Sequence, residues 1–336
     1  MLGLLQFVRI HLAISVVVGL AGLITARHTE ARQGGQIVFQ SRVDDNTDIY
    51  VMDADGSNVR RLTDAPEGDR SPKWSPGGKR IVFVSDRDGT RHVYTMDPDG
   101  GGVLRLTDPA TYVSAPAWSS GGQEIAFFAN YQEYGIHIMD RDGQNVRLLT
   151  GTPDRAGDPG THFQLGIDWS PDGRTLIFNT HGNESEGVIW AIDADGRNLR
   201  DLSKDGQDLC QAWSPDGQLI LFIFHGLDPG FYTMRPDGRN RREVLVPVSG
   251  GCPRWSPDGR EIIFSMDGDI HVVSATGKGL RRLVELPGDE SRADWFDPAY
   301  ARAVSAESKE PVTWGRLKRA DERPAEQLTP TGHDLP

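Results

Sequence analysis

From residue 36 onward, short apolar runs alternate with polar, glycine-rich breaks, and the same order of runs returns six times. One kind is β-rich: IVFQS at 37–41, IVFVS at 81–85, IAFFA at 125–129, LIFNT at 176–180, ILFIF at 220–224 and IIFSM at 262–266. Another alternates apolar and polar positions: DIYVMD at 48–53, HVYTMD at 92–97, IHIMD at 136–140, VIWAID at 188–193, FYTMR at 231–235 and DIHVV at 269–273. A third is short, from RRLTD at 60–64 and LRLTD at 104–108 to RRLVE at 281–285. A fourth ends in tryptophan, as in APAW or CPRW. Period-two patterning with β-branched and aromatic residues marks strands.

The tryptophans Trp74, Trp118, Trp169, Trp213, Trp255 and Trp295 are spaced by 44, 51, 44, 42 and 40 residues. A strand-rich period of about 40–45 residues is the signature of propeller blades. With the tryptophan run as strand A and the others as B, C and D in chain order, the pattern predicts an all-β, six-bladed propeller of four-stranded blades. The first repeat begins at strand B and the last element is a strand A around Trp295. The ring is therefore expected to close by the C-terminal inner strand joining the N-terminal blade, which covers an open sheet edge. WSPDG, at 169–173, 213–217 and 255–259, reads as the A–B turn: Pro presets φ and Gly supplies φ > 0. DADG-type loops read as C–D hairpins. Asp-x-Asp-Gly also opens a calcium-binding EF-hand, but the closing Glu of such a loop does not follow. The tryptophans are expected to pack between neighbouring blades.

Residues 12–24, LAISVVVGLAGLI, form an uncharged apolar run behind Arg9 and His11. That is the length of a signal-peptide core and short for a span of about 20 residues. Residues 1–31 thus read as a signal peptide cleaved after Ala26 or Ala31, with an uncleaved N-terminal anchor as the alternative. The expected location is periplasmic or secreted, with membrane contact only through that segment. The formal net charge of −12 argues against a nucleic-acid partner. Cys210 and Cys252 both stand three residues before a tryptophan, on neighbouring inner strands. Inner strands of adjacent blades generally stand farther apart than the ~7 Å a disulfide spans, so two buried free thiols are expected.

WSPDG followed by IVFVSDRDG, HVYTMDPDGG and RLTD resembles the TolB-type, WD-like propeller repeat, and the resemblance covers residues 36–297. TolB proteins carry an N-terminal α/β domain that recruits the other Tol partners; here about ten residues separate the apolar run from the first strand. Similar propellers front prolyl-oligopeptidase-class peptidases, whose Gly-x-Ser-x-Gly elbow this sequence lacks. Residues 298–336 leave the repeat and read as a mostly disordered tail in which Trp314 stands out as a docking candidate.

Antiparallel strands put the B–C and D–A loops on one face, here the upper face, and the A–B and C–D turns on the other. Ligands of propellers gather at a channel mouth. The strand B ends supply Arg42, Asp86, Asn130, His181, His225 and Asp267 to the upper mouth. Two loops there read as oversized, one joining Leu149 to Trp169 and one at 129–135; they add Tyr131, Tyr134, His162 and Phe163. These ten residues are the candidate binding site. With no nucleophile–base constellation, the chain reads as a non-enzymatic, monomeric scaffold for a protein or peptide partner in the cell envelope, without a cofactor. The alternative is a metal-dependent carbohydrate lyase holding a transition metal on His162, His181 and His225, as the resemblance to the propellers of the oligogalacturonate lyase family suggests.

Overall fold

The protein is described from a computed structural model that covers residues 35–108, 112–131, 133–151, 162–181, 187–203, 207–245 and 250–301. The apolar N-terminal run, most of the long connection before Trp169, and the tail with Trp314 lie outside the described residues. Six four-stranded antiparallel sheets form the blades. Blade 2 shows the plan: inner strand Asp69–Trp74, then Ile81–Ser85, His92–Met96 and the two-residue outer strand Leu104–Arg105. Ring closure is as the repeat phase predicts. The strand Asp289–Phe296 pairs antiparallel with Gln36–Val43, Trp295 opposite Ile37 and Glu290 opposite Ser41.

Strand B is the centre of each blade because its sides face the neighbouring blades and its edges are both paired. Ile81–Ser85 is buried at every position. Its phenylalanine recurs as Phe39, Phe83, Phe127, Phe178, Phe222 and Phe264, all nearly or wholly sealed from water. Several stack on the ring directly across on strand C: Phe39 on Tyr50 at 5.7 Å, Phe83 on Tyr94 at 5.6 Å, Phe264 on His271 at 5.9 Å. Such cross-strand pairs add to sheet stability beyond the area they bury. The anchor tryptophans couple the sheets. Trp74 of blade 2 packs on Val38, Ile49 and Val51 of blade 1, and Trp213 of blade 5 on Ile177, Ile189 and Ala191 of blade 4.

The turns follow from their letters. In Ser214-Pro215-Asp216-Gly217 the Gly217 amide donates to the Ser214 carbonyl at 2.9 Å, and Gly217 has φ 67°. The Ser214 hydroxyl donates to Asp216 (2.6 Å) and accepts from the Leu219 amide (2.9 Å). One Ser–Asp pair thereby satisfies the donors that a reversing chain exposes. The C–D glycines have a second task. Gly100, at φ 91°, faces the preceding blade, where a Cβ would lie 2.6 Å from the Leu62 carbonyl oxygen.

Two expectations are corrected. Residues 129–135 are not an open loop: strands Glu124–Tyr131 and Glu133–Asp140 keep pairing to the tip, Asn130 opposite Tyr134. Cys210 and Cys252 are not free thiols but a disulfide between blades 5 and 6, with Cα atoms 4.9 Å apart. The physical reason is a bulge at this level of the inner strands. Pairing with strand B shifts between Arg70 and Lys73, Ser114 and Ala117, and Leu209 and Ala212. The third residue before the tryptophan turns left-handed there: Ser71 (φ 54°), Ala115 (50°), Cys210 (55°) and Arg292 (51°). A bulge bends its strand, so the spacing of straight inner strands does not apply at Cys210.

Candidate binding site

A concavity lies on the lower face. A cavity of about 560 Å³ opens between the A–B turns, lined by all six anchor tryptophans and by the turn prolines Pro76, Pro171, Pro215 and Pro257. The exposed side chains of Lys79 and Arg141 stand at its rim. After the closing strand the chain makes one helical turn, 298–301, across part of this mouth. Tyr300 donates its hydroxyl hydrogen to the Pro215 carbonyl of blade 5 (2.9 Å), and Phe296 leans on Trp74 with ring centroids 5.4 Å apart.

Beneath the tryptophans the channel is charged. The residues just before the tryptophans are Lys73, Ala117, Asp168, Ala212, Arg254 and Asp294; Asp168 and Asp294 line the cavity, while Ala117 and Ala212 are buried. Asp294 joins blades 1 and 2 by accepting from Lys73 Nζ (2.9 Å) and the Trp74 amide (2.8 Å). Asp168 accepts from the Trp213 amide (2.7 Å). Arg254 donates to the Gln211 carbonyl of blade 5 (3.0 Å). Burial lifts the Asp168 carboxyl above its ordinary range, against the pull of Arg254 and Lys73. Burial likewise lowers Lys73; Arg254 adds to the effect, while Asp294 and Asp168 oppose it. The indole N–H groups of Trp74, Trp118, Trp169, Trp213 and Trp255 are shielded from solvent and have no hydrogen-bond partner among the described residues.

The residues gathered for the upper mouth fall into smaller groups. Arg42 pairs with Asp45 at an exposed hairpin tip (2.8 Å). Asp86 pairs with Arg70 (2.5 Å) and Arg91 (3.1 Å); these outweigh its burial and hold its carboxyl below the usual range. Tyr134 stands edge-on to Phe128, ring centroids 4.6 Å apart. Asp267 sits at φ 55° in the tight turn of its hairpin, and the His225 amide donates to the Gln207 carbonyl (2.9 Å). His162 lies directly opposite His181, and Phe163 opposite Thr180, in the paired strands of blade 4, whereas His225 belongs to blade 5. The side chains of Tyr131, His162, Phe163 and His181 are outside the described residues. Among the described residues, no group of three His, Cys, Asp or Glu side chains is placed to hold a metal ion.

The lower-face cavity was legible only in part. A charged residue immediately before the tryptophan was the available signal, and it recurs in four of the six blades.

Fold and channel together define a six-bladed propeller of WD-like repeats with a cavity at one mouth. A family model described as the TolB β-propeller domain matches residues 15–215, more than half the chain, and the protein belongs to that family. No protein of curated function matches it in sequence. Among solved structures it is similar to TolB from Acinetobacter baumannii, with 20% identity and a TM-score of 0.65, over 78% of this chain and 66% of that one, just under two thirds of its length. It is also similar to a putative TolB from Agrobacterium tumefaciens (20%, TM-score 0.59, 78% and 98% covered). A chain of a nidogen/laminin complex matches at 12% identity and a TM-score of 0.65, with 79% and 99% covered. At these identities the likeness is one of fold.

Proposed function

We propose that the protein is a non-enzymatic scaffold of the periplasm or cell envelope that receives a segment of a protein or peptide partner in its lower-face cavity. The observation that carries this reading is the cavity itself. At about 560 Å³ it has the volume of a ligand site, and its wall is tryptophan with charge at rim and floor, the composition that dominates binding energy at protein interfaces. The exported location is supported by the Cys210–Cys252 disulfide, a bond that persists in oxidising compartments, together with the apolar run at 12–24. The similar fold in a nidogen/laminin complex is consistent with a propeller in a protein assembly. The carbohydrate-lyase alternative is not favoured: its histidines stand at the upper ends of strands, away from the cavity.

The test is site-specific photo-crosslinking in the cell. A crosslinker in place of Lys79 or Arg141 is expected to trap a discrete envelope protein, and Trp118→Ala to abolish that product. The same chemistry in place of His225 or Asp267 reports on the upper mouth. Products from the upper positions alone would move the site to that face, and products from neither would end the scaffold reading.

A further inference from the structure

The C–D turns also lie on the lower face, outside the ring of A–B turns. In blades 1, 3 and 4 each holds a carboxylate that accepts from the asparagine five residues on: Asp53 from Asn58 (2.7 Å), Asp140 from Asn145 (2.6 Å) and Asp193 from Asn198 (2.7 Å). Blade 5 keeps the turn and its asparagine, Asn240, but has Arg235 in place of the aspartate. We propose that this edge of blade 5 docks an acidic segment of a partner protein, one carboxylate of which takes the role of the missing aspartate. None of these residues lines the tryptophan-walled cavity, so the site is independent of what that cavity holds.

The other blades show the chemistry. In blade 4, Arg200 stands opposite Ala191 and reaches Asp193, two residues farther along strand C, at 3.5 Å. In blade 5, Arg242 stands opposite Thr233 in the same register, and the residue two farther along is Arg235. Alternate residues share one side of a strand, so two arginines share the side where blade 4 has an ion pair. Blades 3 and 6 satisfy the same arginine from the start of strand B: Arg147 pairs with Glu124 (3.2 Å) and Arg281 with Glu261 (3.3 Å). The counterpart of those glutamates in blade 5 is Leu219. Both carboxylates that the repeat offers are thus replaced in one blade.

Arg239, whose carbonyl accepts from the Arg235 amide across the turn (2.8 Å), adds a third cation. All three arginines are exposed, and among the described residues none of them forms an ion pair. The carboxylates nearest in sequence are turned elsewhere. Asp237 accepts from the Arg239 amide (3.0 Å), and Glu243 stands opposite Tyr232, on the other side of the strand from Arg242. Guanidinium groups bind a carboxylate in a planar fork. An anionic membrane or a nucleic acid is disfavoured, because either needs a broad basic surface and the chain carries a formal net charge of −12. A short acidic stretch of polypeptide can touch the cationic edge alone.

The test is fluorescence anisotropy of a labelled hexaglutamate peptide titrated with the purified protein at low ionic strength. Arg235→Asp restores the residue that blade 4 carries in this turn; it is expected to fold and to weaken peptide binding about tenfold. Two controls are expected to stay within about twofold of wild type: Arg197→Asp, the same charge change in the equivalent turn of blade 4, and Trp118→Ala, which alters the cavity. An equal loss in Arg197→Asp would reduce the effect to net charge and overturn the site. Loss in Trp118→Ala but not in Arg235→Asp would put the peptide in the cavity and overturn it as well. No binding of the peptide, or binding of phosphatidylglycerol vesicles in its place, would also overturn it. If Arg235→Asp does not fold, Arg242→Ala is the second variant, and peptide binding equal to wild type in that variant would overturn the site.

Discussion

Tryptophan in this chain works through its area rather than its N–H. Trp213 is buried against blade 4 while its indole nitrogen bonds to nothing among the described residues. Trp213→Ala is expected to cost about 3–5 kcal/mol in denaturant unfolding. Trp213→Phe, which keeps most of the ring and removes an unsatisfied donor, should cost about 1 kcal/mol. Gly100 is constrained twice, by its φ of 91° and by the Leu62 carbonyl. Gly100→Ala should therefore lose at least the ~1–2 kcal/mol of a left-handed alanine, and more as the two blades separate. Glu290 gives the pH dependence. Its residue is 1% exposed, Ser41 donates to Oε1 at 2.9 Å, and Oε2 has no partner among the described residues. Burial raises its pKa, opposed by the Ser41 bond. A carboxyl with a raised folded pKa binds its proton more tightly when folded. Its contribution is therefore favourable at low pH and declines as pH rises from the ordinary glutamate value through the raised one. Denaturation midpoints across that window should fall in the wild type, and Glu290→Gln should remove this part of the slope.

At the level of elements, strands were the most legible feature, because two-sided burial demands continuous apolar letters. Ile81–Ser85 and Ile220–Phe224 have the same bounds in sequence and structure. Outer strands were overread: the run at 104–108 forms only Leu104–Arg105, since an edge strand pairs on one side and its pattern outlasts its ladder. The tip at 129–135 was read as a loop because Asn, Tyr, Gln and Glu suggest exposure, yet exposed residues pair as readily as buried ones when the turn is tight. The disulfide was missed because strand spacing was taken from straight strands, and a bulge leaves no distinctive letter in Cys210 or Arg292. The bond closes a loop with a sequence separation of 42. Reduction, or Cys210→Ser with Cys252→Ser, is expected to cost about 4 kcal/mol, read as a lower denaturation midpoint under reducing conditions.

For the whole molecule, repeat number and phase were readable because each blade must bury its faces on its neighbours, which enforces similar letters. The lower-face cavity was not, because its wall reads in the sequence as core tryptophans and turn prolines. The sequence reading looked among irregular upper loops, whereas the described cavity is walled by the most regular letters of all, the tryptophans and turn prolines. Regularity there makes a ring, and a ring encloses a space. Deleting residues 289–301 should remove the closing strand, the Lys73–Asp294 link and the Tyr300 contact together. Cooperative unfolding in calorimetry is expected to be lost rather than merely shifted to lower temperature.

That closing strand also sets an order in time. Ser41 and Glu290 are bonded across 249 residues, so blade 1 stays a three-stranded sheet with one bare edge until nearly the last part of the propeller has been synthesised. Contacts of such separation are slow to form, and an unpaired edge invites other strands meanwhile. The protein therefore has a long interval in which it is almost folded and adhesive. Its yield in the cell should depend more on what shields that edge during the wait than on the stability of the finished ring.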